Sequence, residues 1–161
     1  MSPAQSLVLR NVLFTLVLPA SGAVYAPWWI LTRGGGRPEP VAWYAGGPIA
    51  LGLALYAWCV WVFARVGQGT PGPWDAPRRF VAAGPYRWVR NPISIGALLV
   101  VLGEAWLFLS LPLLVYTLVL ALGVHVFVVW YEEPALRRRF GDEYERYCRR
   151  VARWIPHRPR P

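Results

Sequence analysis

The chain has 161 residues, of which 56% are hydrophobic and 16% charged, and its mean hydropathy is +0.34. Soluble domains have roughly 45–50% apolar and about 25% charged residues, so the composition excludes a disordered chain and argues against a water-soluble globule. The 17 basic residues, all of them arginine, outnumber 8 acidic ones and give a net charge of +9. Because these arginines flank apolar runs, we expect them to face anionic lipid headgroups and not nucleic acid.

Four apolar stretches of the length that crosses a bilayer follow each other along the chain. They cover residues 7–31, 41–64, 93–109 and 113–131. Only a few residues separate the third stretch from the fourth, which predicts a tight helical hairpin. We therefore predict an all-α polytopic membrane protein with four transmembrane helices, folded as a single domain over residues 1–161.

The arginines are distributed unevenly between the two ends of these spans. One arginine in the N-terminal segment, five in the loop 65–91 and nine in the tail 132–161 share one side, against two on the other side. The positive-inside rule then places both termini and the long loop in the cytoplasm. We predict a multi-pass protein of the bacterial inner membrane, and the exclusive use of arginine is typical of a high-GC genome.

The polar tail is expected to fold. Asp142 and Glu145 have the spacing of a helix-capping box. Among the residues that follow Asp142, four fall on one helical face, namely Tyr144, Tyr147, Cys148 and Val151. This pattern predicts a C-terminal amphipathic helix that lies at the membrane interface or covers a cytoplasmic site.

The end of the long loop is the first candidate site. Residues 84–92 read GPYRWVRNP, in which prolines restrict the backbone and glycine lets a ligand approach the main chain. Pro92 suits the first turn of the third span, and the free amides of that turn can hold a carboxylate. The alternative interpretation is a connector that merely carries positive-inside arginines.

Ionisable residues in or beside the spans supply the other candidates. Glu132 and Glu133 end the fourth span, where the helix dipole disfavours carboxylates, so they bind a cationic group or a ribose, or else pair with arginines. Glu104 and His125 lie inside apolar spans, where an unpaired charge costs at least about 2.5–3.5 kcal/mol. These two either accept a proton during a reaction or hold helices together through buried hydrogen bonds. The sequence shows no metal-ligand spacing.

Several motifs together resemble a known family. They are GPYRWVRNPISIG at residues 84–96, the pair Glu132-Glu133, FGDEY at residues 140–144, and the closing segment Val151 to Pro156. In this order around a helical hairpin, they resemble the isoprenylcysteine carboxyl methyltransferase family and its relatives, the phospholipid N-methyltransferases. The resemblance covers about residues 68–156.

This resemblance implies an integral-membrane methyltransferase that takes S-adenosylmethionine from the cytoplasm and a lipophilic or membrane-associated acceptor from the bilayer. The cofactor-binding positions that it implies are Arg78, Arg79, Phe80, Val81, Tyr86, Arg90, Asn91, Pro92, Ile93, Ser94, Gly96, Glu132 and Glu133. For an amine or thiol acceptor, Glu104 or His125 is the expected catalytic proton acceptor. An ionised carboxylate acceptor would need no base.

The chain departs from the family pattern at three positions. Asn91 and Ser94 stand where the family has histidine and tyrosine, and Val128 stands where the prenylcysteine enzymes have a substrate-binding arginine. The last difference argues against a carboxylate acceptor bound in the same way.

Alternative functions are a membrane reductase of the steroid or sterol type, which would need a nicotinamide cofactor, and a non-enzymatic transporter or assembly subunit in which Glu104 and His125 conduct protons. A family member that binds the cofactor without turnover is a further alternative.

Overall fold

The computed structural model describes residues 17, 19–33, 39–67 and 80–156, and the regular structure within them is helical. The prediction of an all-α fold is therefore confirmed for this part of the chain. Residues 7–16 and 18 of the first predicted span lie outside the described residues, as do Arg78 and Arg79 of the predicted site.

The described helices follow the order predicted from the sequence. The α-helices are α1 (Ala26–Thr32), α2 (Gly46–Val62), α3 (Pro92–Leu107), α4 (Leu111–Phe127), α5 (Glu133–Phe140) and α6 (Asp142–Arg150). Wide π-helical turns occupy Ser21–Tyr25, Phe63–Gly67 and Val128–Glu132, and tighter 3₁₀ turns occupy Trp43–Ala45 and Gly84–Arg87. The π-helical turns extend α2 and join α4 to α5 without a break.

Within the part of the chain that the structure describes, two continuous helices are long and apolar enough to cross a membrane. They are Trp43–Val66, with 24 residues, and Leu111–Phe140, with 30 residues. In the most apolar 18-residue stretch of each helix, only 17% is buried within the protein. Most of the apolar side chains therefore face outward, as in helices surrounded by lipid. The helix Pro92–Leu107 is apolar but shorter. The count of four spans and their orientation stay predictions.

The predicted hairpin is present between α3 and α4. Pro92 begins α3, and the Ser110 hydroxyl accepts a hydrogen bond from the Leu113 amide at 3.4 Å, which caps α4. The second helix of the hairpin continues to Phe140, beyond the predicted end of the span at residue 131. The chain keeps helical φ/ψ angles at Glu132 and Glu133 just before Pro134, and the Glu133 amide donates to the Val128 carbonyl oxygen, so the helix continues into the polar tail.

Glycines bring α2 and α3 into close contact. A Cβ atom added to Gly52 would lie 2.6 Å from the Gly96 carbonyl oxygen, and one added to Gly96 would lie 2.9 Å from the Gly52 carbonyl oxygen. A Cβ atom on Gly103 would lie 2.6 Å from a side-chain atom of Ile49. Small residues of this kind let helix backbones approach each other inside a membrane, where apolar lipid gives no hydrophobic preference for helix association.

Hydrogen bonds define which helix termini lie together. The amides of Val41 and Ala42 donate to the Leu107 carbonyl oxygen at 2.9 and 3.1 Å. The start of α2 and the end of α3 therefore share one end of the bundle. The segment that precedes α3 and the polar tail lie at the other end, which we call the tail end.

The capping box predicted for α6 is wrong. Gly141 is the N-cap residue and no side chain caps the helix, so Asp142 already lies within its first turn. Gly141 has a φ angle of +51°, which glycine adopts without steric cost. The N-cap of α6 therefore lies one residue before the predicted N-cap, Asp142. The Glu145 carboxylate accepts a hydrogen bond from the Arg137 side chain at 2.8 Å instead.

Candidate functional site

Tyr86 is buried at the tail end by contacts on both sides. Its ring packs edge-to-face on Phe63 at a centroid distance of 5.2 Å. The Tyr147 hydroxyl donates a hydrogen bond to the Tyr86 carbonyl oxygen at 2.7 Å, which ties α6 to this segment. Gly84 has a φ angle of +57°, which favours glycine at this turn. Its packing also leaves little space for a side chain, because an added Cβ atom would lie 2.8 Å from the Val62 side chain. Burial raises the pKa of the Tyr86 phenol well above its ordinary value, so the phenol stays protonated.

Glu133 forms the centre of an ion-pair network. Its carboxylate is buried, with 3% of the side chain exposed, and accepts hydrogen bonds from Arg153 at 2.7 and 3.0 Å and from Arg90 at 2.8 Å. Arg137, one helical turn later, approaches at 3.4 Å. Three guanidinium groups thus neutralise one buried carboxylate, which is the condition under which a buried charge is tolerated.

The segment after α6 lies alongside the residues that precede α3. The Arg90 amide donates to the Ala152 carbonyl oxygen at 2.9 Å, and the Arg90 side chain donates to the Val151 carbonyl oxygen at 2.9 Å. The Asn91 side-chain amide donates to the Arg153 carbonyl oxygen at 3.1 Å. Asn91 therefore anchors the tail, and Arg90 is fixed in place by both the tail and Glu133.

A cavity of about 450 Å³ opens between these residues and the apolar helices. This volume lies within the range of small-molecule sites. Polar and charged residues line one part of it, namely Tyr56, Tyr86, Arg90, Asn91, Ser94 and Glu132. Apolar residues line the rest, namely Pro19, Gly22, Ala23, Phe63, Ile93, Ala97, Leu98, Leu120, Val124 and Phe127. We call this space the main cavity.

The structure brings six of the predicted cofactor positions together around the main cavity. These are Tyr86, Arg90, Asn91, Ile93, Ser94 and Glu132. Glu132 and Glu133 are adjacent in a helix and point in directions about 100° apart, which explains why one lines the cavity and the other binds arginines.

The other described cofactor positions support the main cavity or lie elsewhere. Val81 packs against Tyr86 and the end of α2, Pro92 is buried at the start of α3, and Gly96 contacts Gly52. Glu133 belongs to the arginine network, and Phe80 lines a different cavity. These residues are not among those that line the main cavity.

Neither residue predicted to accept a proton lines the main cavity. His125 is exposed, and its Nδ1 accepts a hydrogen bond from the Trp154 indole at 3.0 Å. Glu104 is half-buried in α3, and one of its carboxylate oxygens is buried without a hydrogen-bond partner within the described ranges. Their catalytic role stays a prediction.

Sequence reasoning missed the contribution of α2 and α4 to the main cavity. Tyr56 and Phe63 reach it from the α2 side, and Leu120, Val124 and Phe127 reach it from α4. Leu120 and Val124 are residue types found throughout apolar helices, and the aromatic residues of this set belong to no motif. The sequence therefore does not distinguish these residues from lipid-facing neighbours. Among the residues that the structure describes, no group of His, Cys, Asp and Glu is arranged to hold a metal ion.

Comparison with known proteins assigns the chain to a family. No curated protein and no solved structure gave a match. The family described as phospholipid methyltransferase matches residues 42–143, which is more than half of the chain. The matched region runs from before α2 to the start of α6, and it includes Tyr86, Arg90, Asn91 and the Glu132-Glu133 pair. The resemblance predicted from these motifs is thereby confirmed, and the chain belongs to the phospholipid methyltransferase family.

Proposed function

We propose that the chain transfers a methyl group from S-adenosylmethionine to a lipid acceptor, and that the main cavity holds the donor. One observation carries this proposal: Arg90 and Glu132, which have opposite charges, line one cavity together with apolar residues of α3 and α4. A polar donor and a lipophilic acceptor need such a combination of surfaces. The family match supports methyl transfer over the reductase and transporter alternatives.

The lining of the main cavity fits the chemistry of this donor. S-adenosylmethionine carries a carboxylate, an ammonium, a positively charged sulfonium and an aromatic base. A guanidinium such as that of Arg90 is suited to hold a carboxylate, and the Glu132 carboxylate attracts the cationic groups. The rings of Phe63, Tyr86 and Phe127 offer flat apolar surface for the base.

When bound, S-adenosylmethionine supplies a methyl group activated for displacement from sulfur. The residues of this chain then need to orient two reactants and exclude water, and no covalent nucleophile is required. The Glu133 carboxylate and the Val151 carbonyl fix the Arg90 side chain before any ligand arrives. Such preorganisation reduces the entropy that is lost when a ligand binds.

The apolar part of the main cavity suits the acceptor. Leu98, Leu120, Val124 and Phe127 come from helices whose other faces are exposed and apolar, so a lipid chain finds continuous apolar surface there. Val128, at the position of the substrate-binding arginine of the prenylcysteine enzymes, is buried. We therefore favour an acceptor that is recognised without a carboxylate-binding arginine at this position.

Binding of S-adenosylhomocysteine to the detergent-purified protein tests the proposed donor site. Calorimetry should show binding to the wild type, and affinity for Glu132→Gln should fall roughly tenfold or more, because a charge-assisted contact is lost. Glu39→Gln is the matched control, because Glu39 is exposed and lies at the opposite end of the bundle; it should bind like the wild type. Absence of binding to the wild type, or equal affinity in the two variants, would refute the assignment of this site.

A labelled-methyl assay with vesicles made from the source cell's lipids tests the reaction. Label should appear in a lipid, which mass spectrometry can then identify. Glu104→Gln and His125→Gln address the proton acceptor: loss of transfer with retained S-adenosylhomocysteine binding would support a catalytic role. Thermal stabilisation by NADPH, without label transfer, would favour the reductase alternative.

A further inference from the structure

A second cavity of about 440 Å³ lies between the segment before α3 and the tail. It is lined by Phe80, Ala82, Arg87, Glu143, Arg146, Tyr147, Arg150 and Val151. Of these residues, only Phe80 was among the predicted cofactor positions, and none lines the main cavity. We call this space the arginine cavity.

Three guanidinium groups and one carboxylate, that of Glu143, line the arginine cavity, so positive charge is in excess there. Arg87, Arg146 and Arg150 are exposed, and within the described ranges they have no ion pair or hydrogen-bonded acidic partner. Arg90 and Arg153, by contrast, are paired with Glu133. Like charges that converge on one space repel each other and favour an anion between them.

The wall of the arginine cavity is preformed. The Phe80 ring packs against Tyr147 at 4.9 Å, Phe140 at 5.4 Å and Tyr144 at 5.8 Å between ring centroids. Tyr147 is held by its hydrogen bond to the Tyr86 carbonyl oxygen. The cavity therefore combines a rigid aromatic wall with cationic side chains, as expected for an amphiphilic anion.

Its position favours a lipid headgroup over a free anion. Arg87 ends the turn that begins at Gly84, and Gly84 packs against Val62 at the end of the apolar helix Trp43–Val66. Phospholipid headgroups lie at the ends of membrane-spanning helices. Arginine also matches phosphate oxygens with a pair of parallel hydrogen bonds.

We propose that the arginine cavity binds the phosphodiester headgroup of an anionic phospholipid. Such a site would hold the tail end against the membrane surface, separately from the main cavity. The proposal does not depend on methyl transfer, since it rests on Arg87, Arg146 and Arg150, none of which lines the main cavity.

Lipid binding to the detergent-purified full chain tests this proposal. The probes are short-chain phosphatidylglycerol and short-chain phosphatidylcholine, with binding measured by calorimetry below their critical micelle concentrations. The wild type should bind phosphatidylglycerol in preference to phosphatidylcholine. The triple variant Arg87→Gln/Arg146→Gln/Arg150→Gln should bind phosphatidylglycerol about 10–100-fold more weakly.

A second triple variant controls for general charge. Arg138→Gln/Arg139→Gln/Arg149→Gln removes the same charge from exposed positions that line neither cavity, and it should bind within about twofold of the wild type. Equal weakening in both triple variants would overturn the proposal in favour of a diffuse basic surface. Melting curves of both variants, unchanged from the wild type, exclude misfolding as the cause.

Competition experiments separate the lipid from other ligands. Neither inorganic phosphate nor S-adenosylhomocysteine should displace phosphatidylglycerol from the wild type. Displacement by phosphate would assign the cavity to a free anion, and displacement by S-adenosylhomocysteine would assign it to the methyl donor; either result overturns the proposal. Glu143→Gln removes the acidic residue of the cavity and should tighten phosphatidylglycerol binding, whereas weaker binding would indicate a cationic ligand.

Discussion

Two neighbouring contacts in this molecule are formed by different forces. Where α2 meets α3, the backbones touch at Gly52 and Gly96. Where the tail meets the segment before α3, buried Glu133 and its arginines make the contact, together with hydrogen bonds. Inside a bilayer, lipid competes equally for apolar surface, so close fit determines which helices associate. At the tail end, charge and hydrogen-bond geometry determine which segments pack together.

The largest expected effect comes from breaking the charged contact at its centre. Glu133→Gln leaves three guanidinium groups around a neutral side chain and should lower the free energy of unfolding by about 3 kcal/mol, since one partner of a buried ion pair is removed. The measurement is denaturant unfolding in detergent. Glu132→Gln is the matched control one residue away; it should bind S-adenosylhomocysteine roughly tenfold or more weakly and keep its stability. If Glu132→Gln is the less stable variant, the roles assigned to the two carboxylates are reversed.

The close helix contact should be nearly as sensitive. In Gly52→Ala the new methyl group meets the Gly96 carbonyl oxygen at 2.6 Å, and because a backbone atom cannot move aside cheaply, we expect a loss of about 1–3 kcal/mol. The control is Gly123→Ala on α4, where nothing lies within 4 Å of the added Cβ atom. Its stability should be unchanged or slightly raised by better helix propensity. Equal melting temperatures would show that α2 and α3 are less closely packed.

A single neutral hydrogen bond of the tail contact should matter less. Tyr147→Phe removes the bond to the Tyr86 carbonyl oxygen and should cost about 1 kcal/mol. Tyr131→Phe, on an exposed tyrosine, is the control. Burial raises the pKa of Tyr147, so its stabilising effect should persist at neutral pH and be lost above the ordinary tyrosine pKa of about 10. A difference between the two variants that disappears between pH 7 and pH 9 would contradict this account.

The exposed ion pair between Arg137 and Glu145 should have the smallest effect. Its atoms lie 2.8 Å apart, yet both side chains are more than 40% exposed, so solvent screens the interaction. Glu145→Gln should change the unfolding free energy by at most about 0.5 kcal/mol. A loss as large as that in Glu133→Gln would mean that burial is not what distinguishes the two contacts.

The sequence predicts the parts of this fold that depend on local patterns. The length of the continuous apolar stretches predicts α2, α3 and α4, and Pro92 predicts where α3 begins. The resemblance groups Tyr86, Asn91 and Glu132, and these residues do line one cavity. Each of these predictions depends on residues close in sequence or on motifs whose order is informative.

Other features depend on contacts between distant residues. Arg153 lies 20 residues after Glu133, and no local spacing shows which of many arginines will pair with that carboxylate. The capping box failed because Gly141, and not Asp142, is the N-cap residue of α6. The α4 residues of the main cavity have the same composition as lipid-facing residues, so the sequence does not distinguish them.

The π-helical turn at Val128–Glu132 determines what each carboxylate of the acidic pair faces. Such a turn contains one residue more than a regular helical turn. Deleting one residue there would advance the register of everything downstream by about 100°. Glu133 would then occupy the direction of Glu132, and Pro134 would face Arg90. The length of this short stretch therefore specifies which acid is available to a ligand and which is committed to the fold.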